Sequence, residues 1–269
     1  MSGSRVDTLQ QVLSRCEESL TVELIATKQP HTCSPEQRES DVYDDCALKN
    51  FDNIPVVEAE RVIGLWQRPA AADNRSVRDA MVPLPQVLVV SSDLSIDGLL
   101  AVLRERQGSA ALVLYGHTHH GIVTHSDLVK LPVRITLFAR ISHLESILGD
   151  IIRSRVSTNW QEMLRPDASK HVEGTWKRLI QRRADADKLD ATNLDHRFDI
   201  VSKLLRDSDP GLADCLTESR DDAYGLRNDV AHGNEYAERA ADLTALLTTV
   251  GTIERLIADL TALEATPTP

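Results

Sequence analysis

Residues 31–67, moved forward by 57 positions, lie without a gap on residues 88–124. Thr32-Cys33-Ser34-Pro35-Glu36 falls on Val89-Val90-Ser91-Ser92-Asp93, and Val42-Tyr43 falls on Leu99-Leu100. Ile54-Pro55-Val56-Val57 falls on Ala111-Leu112-Val113-Leu114, and Gly64-Leu65-Trp66 on Gly121-Ile122-Val123. Few of these are identities; the apolar, polar and glycine positions are what recur. A fixed offset over that length restricts the N-terminal half to folds that hold two copies of one supersecondary unit. Each copy reads strand, helix, strand, turn, strand. In the second copy Val87 to Val90 is read as a buried strand, Ser91-Ser92-Asp93 as a helix start, and Ile96, Leu99, Leu100 and Leu103 as the apolar stripe of the helix. Two short strands, Ala110 to Leu114 and Ile122-Val123, are joined by a turn from Gly116 to Gly121, and Asp127 opens another helical stretch. Leu9, Val12, Leu13 and Cys16 give an opening amphipathic helix over 5–20.

From Pro132 the pattern changes to helix alone. Ile135, Leu137, Phe138, Ile141, Leu144, Ile147, Leu148 and Ile151 recur at helical spacing, with the proline suited to a first turn. Further helical segments are expected over 160–164, 169–183, 197–206, 213–230 and 240–263, separated by Pro166, by 185–195, by Asp209-Pro210-Gly211 and by Gly233-Asn234. The expectation is an α+β chain in which residues 1–131 form a duplicated α/β module, with copies over about 21–75 and 77–131, and 132–269 form an all-α bundle of about five helices.

The balance of 42% apolar and 26% charged residues is that of a folded protein, and a net charge of -11 excludes a general nucleic-acid-coating role. Cys16, Cys33, Cys46 and Cys215 include no C-x-x-C pair, no apolar signal opens the chain and no apolar run approaches a membrane span, so a cytoplasmic location without a membrane is expected. His117, His119, His120 and His125 invite a metal reading, but their loose spacing without carboxylate or thiolate is that of a solvated hairpin turn, and no metal is assigned. Eight basic residues between Arg153 and Arg183 read either as a solvated helix face or as a track for an RNA backbone.

The chemistry-bearing stretch is Arg227-Asn228-Asp229-Val230-Ala231-His232, just before Gly233. An arginine holds phosphate in a bidentate fork and a histidine moves protons near neutral pH. On a helix, five residues turn about 500°, so Arg227 and His232 stand about 140° apart, whereas Asn228 and His232 share a face. One helix therefore carries an incomplete site, which two such helices across a two-fold axis would complete. Arg227 paired to Asp222 or Asp229, with His232 closing the helix C-terminus, is the plain structural alternative.

Two family resemblances rest on these residues. The duplicated half, over about 17–131, resembles a tandem of cystathionine-beta-synthase (CBS) domains, most of all in Gly121-Ile122-Val123-Thr124-His125-Ser126-Asp127, which matches that family's Gly-h-h-Thr-x-x-Asp pattern. The resemblance implies an adenine nucleotide as regulatory ligand, with Thr124 on phosphate or ribose and Asp127 on ribose hydroxyls. The first copy departs, with Gln67 at the threonine place and Ala70 at the aspartate place. On the bland reading Asp127 caps a helix and Thr124 ends a strand.

The C-terminal half, over about 132–263, resembles the HEPN superfamily through Arg227, Asn228 and His232 near the end of a late helix. That resemblance implies a homodimeric endoribonuclease of toxin or antiviral-effector type, acting without a metal and leaving 2′,3′-cyclic phosphate ends. His232 would serve as base or acid, Arg227 would stabilise charge on phosphorus, and Asn228 would orient. The alternative is a non-catalytic dimerisation protein that docks a partner nuclease or nucleotidyltransferase.

Overall fold

The computed structural model of the chain describes residues 15, 18–116, 118–156, 159–182, 185, 187–233, 236–237 and 240–265. The helix expected over 5–20 therefore lies mostly outside the described residues. In order, the N-terminal elements are β1 (Thr27–Lys28), α1 (Glu39–Asp44), β2 (Asn53–Glu58), β3 (Arg61–Gln67), α2 (Val77–Ala80), β4 (Val82–Pro83), β5 (Val89–Ser91), α3 (Ile96–Arg106), β6 (Ala110–Tyr115) and β7 (Thr118–Thr124). The helices α4 (Leu131–Arg155), α5 (Pro166–Ile180), α6 (Leu194–Leu205), α7 (Pro210–His232) and α8 (Ala240–Ala265) follow. Among the described residues the chain is thus mixed α+β, with its strands in the first half and helices alone from Leu131 on.

The duplication holds at the level of single hydrogen-bonding registers. Hairpin β2–β3 pairs from Asn53↔Gln67 to Glu58↔Arg61, and hairpin β6–β7 from Ala110↔Thr124 to Tyr115↔Thr118, each bound displaced by 57. Even the bulge recurs, at Val56/Val57 and at Val113/Leu114. The parallel bridge Cys33↔Val56 is the first copy's remnant of the β5–β6 pairing at Val90↔Val113.

The order within each sheet differs from a simple side-by-side repeat. β4, near the start of the second copy, pairs with β3 of the first; β1, near the start of the first copy, pairs with β7 of the second. The sheets are therefore β2-β3-β4 and β1-β7-β6-β5. Single bonds follow the same exchange: Glu39 N donates to Arg75 O and Val77 N to Gln37 O, matching Ile96 N to Leu20 O and Val22 N to Leu94 O. Neither copy completes its sheet without the segment that precedes the other.

Several local expectations are corrected. The strand read over 87–90 is β5, one to two residues later, and only Val90 in it is buried, with Val89 37% exposed. Helix α3 starts from Ser95, whose Oγ accepts from Gly98 N at 3.0 Å, and not from Ser91-Ser92-Asp93. The turn expected from Gly116 to Gly121 is shorter, because β7 already begins at Thr118; the side chains of 117–120 lie outside the described residues.

In the helical part, residues 160–163 form a 3-10 turn rather than an α-helix. Pro166 and Pro210 were expected to separate helices and instead begin them, because a missing N–H costs nothing in a first turn. On α4, Leu144, Ile147, Leu148 and Ile151 are buried as expected, whereas Ile135 and Phe138 are exposed.

The chain divides into two compact units, Cys16–Thr136 with Glu235–Leu247, and Met1–Arg15 with Leu137–Asn234 and Thr248–Pro269. The first unit is the duplicated module. Its first copy centres on Val42, Ile54, Val56, Trp66 and Val77, and its second buries Leu99, Leu100, Leu103, Val113 and Val123. The second unit packs Phe198, Val201 and Leu205 of α6, Leu216 and Ala223 of α7, and Val250, Ile253, Leu256 and Leu260 of α8 in its interior. Residues 235–247 join the duplicated unit although the sequence places them in the all-α bundle, partly in its last helix.

The exchanged strands make two glycines structural. A Cβ on Gly64 would stand 2.5 Å from the Val82 carbonyl oxygen of β4, and one on Gly121 would stand 3.2 Å from the Thr27 oxygen of β1. Gly64→Ala is expected to cost about 1–3 kcal/mol in urea unfolding, and Gly121→Ala less, because only the first contact requires a backbone oxygen to retreat well inside contact distance. The hairpin turn of the first copy carries Ala59 at φ 47°, where the second has Gly116 at φ 64°. Ala59→Gly is therefore expected to raise stability by up to about 1 kcal/mol, read as an upward shift of the urea midpoint.

Candidate functional site

Helix α7 places the Arg-Asn-x-x-x-His residues. Asp209 caps it, its Oδ1 accepting from Leu212 N at 3.0 Å, and Pro210 occupies the first turn. The buried face is Leu212, Ala213, Leu216, Ala223, Leu226 and Val230. Burying Leu226 and Val230 leaves Arg227 and Asn228 half-buried at the flank of that face and His232 exposed in the last turn. Gly233, at φ 74°, ends the helix with its N–H donated to Asp229 O at 2.9 Å, which is why the helix stops one residue after the histidine.

Arg227 Nη1 donates to Asn228 Oδ1 at 3.2 Å. The arginine and the asparagine are therefore brought together, and the histidine lies one turn beyond the asparagine on the same side. Seven residues before Arg227, and so on the same stripe of α7, Arg220 donates to Asp199 Oδ1 at 2.8 Å and stands 3.2 Å from Asp195. Arg165, ahead of α5, reaches the same two carboxylates at 3.1 and 3.2 Å. Bonds to Asp221 and Asp199 hold the Arg220 pKa above its ordinary value. This seam fixes the rotation of α7 against α6.

The basic run of the second unit is largely spent within the protein. Arg153 pairs with Asp150, Asp187 and Asp190, Lys177 pairs with Glu173, and Arg155 donates to Leu263 O.

In the duplicated unit, Thr124 and Asp127 meet as a capping box. Asp127 Oδ2 accepts from Thr124 N at 2.8 Å and from Thr124 Oγ1 at 3.2 Å. Oδ1 pairs with Lys130 Nζ at 2.6 Å and accepts from Thr27 Oγ1 of β1 at 3.4 Å. Lys130 also donates to Ile25 O at 2.6 Å, so the turn His125–Val129 is tied to the exchanged N-terminal segment. Asp127 is 4% exposed, and both of its oxygens have partners inside the unit.

The first copy's counterpart of Thr124 is Gln67, and it lines a cavity of about 550 Å³ with Leu65, Val82, Gln86, Ser109 and Arg106. That cavity was not foreseen. Its signal in the sequence was the 57-residue offset itself, which carries Thr124 back to Gln67. Elsewhere in the first copy, polar side chains hold its own loops. Arg68 donates to the carbonyls of Tyr43, Leu48 and Phe51, closing the segment after α1. Buried Glu39 accepts from Arg75, Asp73 N and Trp66 Nε1; burial alone would raise its pKa, but these bonds hold it below the ordinary value.

None of the known protein-family models matches the chain, and no curated protein matches it. Among solved structures it is similar to the CBS domain of the bacterial CNNM/CorC family Mg2+ transporter in complex with ATP, at 18% identity over 47% of this chain and 96% of that one, with a TM-score of 0.38. It is similar to CBSX2 in complex with AMP, at 19% identity over 43% and 98% of the two chains, TM-score 0.38. A hemolysin-like protein containing a CBS domain from Oenococcus oeni PSU matches at 12% identity over 45% and 94%, TM-score 0.35.

The helical unit carries an acid-sensitive element. His196 closes a capping box on α6, its Nδ1 accepting from Asn193 N at 3.3 Å, so the ring must be unprotonated there. Burial lowers the pKa of His196, and burial lowers that of His143 on α4. A histidine with a depressed folded pKa takes up protons more readily when unfolded. Stability is therefore full above the ordinary value of 6.5 and falls as pH drops below it. The urea midpoint is expected to decline from pH 6.5 towards pH 5, and less steeply in His196→Gln, which keeps the cap without the titrating ring.

Proposed function

We propose that the chain is a homodimeric HEPN-type endoribonuclease whose duplicated unit is a CBS-type module sensing an adenine nucleotide. The observation that carries the catalytic half is the Arg227–Asn228 hydrogen bond one turn before an exposed His232 at the end of a capped helix. Asn228 holds the Arg227 guanidinium, and the arginine faces the phosphate with its remaining donors. His232 takes the proton from the 2′-hydroxyl, the 2′-oxygen attacks phosphorus, and the 5′-oxygen leaves with a proton. On this reading the His232 of a second copy, across a two-fold axis, supplies that proton. Charge developing on the phosphoryl oxygens meets the preorganised Arg227. The products are a 2′,3′-cyclic phosphate and a 5′-hydroxyl, and DNA is spared because it lacks the attacking group.

For the sensing half, the adenine nucleotide is assigned to the duplicated unit, with Thr124 and Asp127 as the residues named by the family pattern. The cavity at Gln67 has the volume of a small-molecule site and a cation, Arg106, at its margin. A toxin or antiviral role belongs to this reading. The second reading, a non-catalytic dimerisation protein docking a nuclease or nucleotidyltransferase, is favoured by Leu131, Ile135 and Phe138 of α4, which are 64, 42 and 45% exposed at helical spacing.

Full-length protein in EDTA is expected to cleave RNA to cyclic-phosphate ends and to leave DNA intact. His232→Ala is expected to lower the rate about 10²–10⁴-fold, and Arg227→Ala about 10²–10³-fold. RNA degraded equally by the wild type and His232→Ala would remove the catalytic reading in favour of the docking one.

A further inference from the structure

The cavity beside Gln67 lies wholly within the duplicated unit. Val82 and Val87 belong to its apolar wall, and Gln67, Gln86, Ser109 and Arg106 make it polar on the other side. The side chains of Gln86, Ser109 and Arg106 have no partner among the described residues. By contrast, Arg68, Arg75 and Arg78 of the same unit are each bonded to carbonyls or carboxylates. Gln67 is held from one side only. Its Nε2 donates to Asn53 Oδ1 at 3.4 Å, across the β2–β3 register, which leaves its Oε1 and its second N–H for a ligand. Among the described residues of the lining there is no carboxylate.

A guanidinium without a carboxylate beside it suits a phosphate. A primary amide offers one donor and one acceptor, which matches the edge of an adenine. The usual partner of a sugar diol is a carboxylate, and the cavity has none to offer. The aspartate that the second copy keeps for that purpose is already spent. Asp127 is 4% exposed, with Oδ2 accepting from Thr124 N and Oγ1 and Oδ1 taken by Lys130 and Thr27. In the first copy the same place is Ala70, whose side chain accepts nothing. We propose that the nucleotide of the duplicated unit binds in the cavity beside Gln67, with its phosphate on Arg106 and its base edge on the glutamine amides, and that its sugar hydroxyls go unread. This rests on the nucleotide-sensing reading above. The site therefore takes ribose and deoxyribose nucleotides alike, and Arg106 is what separates a nucleotide from a nucleoside.

Titration calorimetry of the full-length protein with AMP, 2′,3′-dideoxy-AMP and adenosine tests this. AMP and dideoxy-AMP are expected to bind within about threefold of each other, and adenosine about 10- to 100-fold more weakly. Arg106→Ala, a change at an exposed side chain, is expected to bring AMP down to the level of adenosine and to leave adenosine where it was. Gln67→Leu is expected to weaken AMP and adenosine by the same factor, about tenfold, because it removes a contact to the base that both share. Dideoxy-AMP bound more than about tenfold below AMP would mean that a carboxylate reads the diol, and that result overturns the proposal while nucleotide sensing stands. An Arg106→Ala variant that binds AMP like the wild type does the same. A protein that binds none of the three removes the sensing reading together with the proposal.

Discussion

Close approach of backbone to backbone at Gly64 and Gly121 is the constraint on which the duplicated unit depends. At these positions β4 and β1 cross over to the opposite copy's hairpin, and the space left for a side chain is 2.5 Å at one and 3.2 Å at the other. A sheet of two strands is marginal in water, and each copy reaches three or four only by borrowing. The first copy therefore needs the strand that opens the second to pass two strands, and the second gains its fourth strand from the one that opens the first, which couples the two. The glycine survives in both copies for this reason, although the residues around it have diverged.

The divergence is directional. Where the second copy begins α3 with buried Ile96, the first begins α1 with Glu39, satisfied by Arg75, Trp66 and the Asp73 amide. Where the second keeps Thr124-His125-Ser126-Asp127, the first has Gln67-Arg68-Pro69-Ala70, with Arg68 closing three carbonyls. Polar groups of the first copy thus hold its own loops, and the space beside Gln67 is left as a cavity. In the second copy the same positions close a turn onto β1 and Ile25. A duplicated backbone therefore carries two chemically different ends.

The repeat was legible because hairpins carry a period-two apolar pattern and a glycine at fixed spacing, and both survive divergence. The exchange was not, because β1 and β4 are two residues long and have no periodicity to read. Pro166 and Pro210 misled for a physical reason: a proline looks like a break from either side, and a side-chain cap ahead of it marks the helix start only at Pro210, where Asp209 accepts from Leu212 N, and not at Pro166. At the candidate site the order Arg227, Asn228, His232 along one helix was readable from spacing alone. The bond between the first two was not, since neighbours on a helix point about 100° apart and meet only through a long side chain bending back. The cavity at Gln67 stayed hidden because its lining comes from both copies, and only the exchanged topology brings those residues together.

Two constraints meet on α7. From its middle, Arg220 locks the helix by rotation, since Asp195 and Asp199 are one turn apart on α6 and both face it, with Arg165 balancing their charge from the far side. Arg227 inherits that rotation because it lies two turns further on the same stripe. The last turn lies beyond the seam: there Leu226 and Val230 are buried, but His232 is exposed. Arg227 is thus held to the rotation that the seam sets, whereas His232 lies past it in the exposed last turn of the same helix.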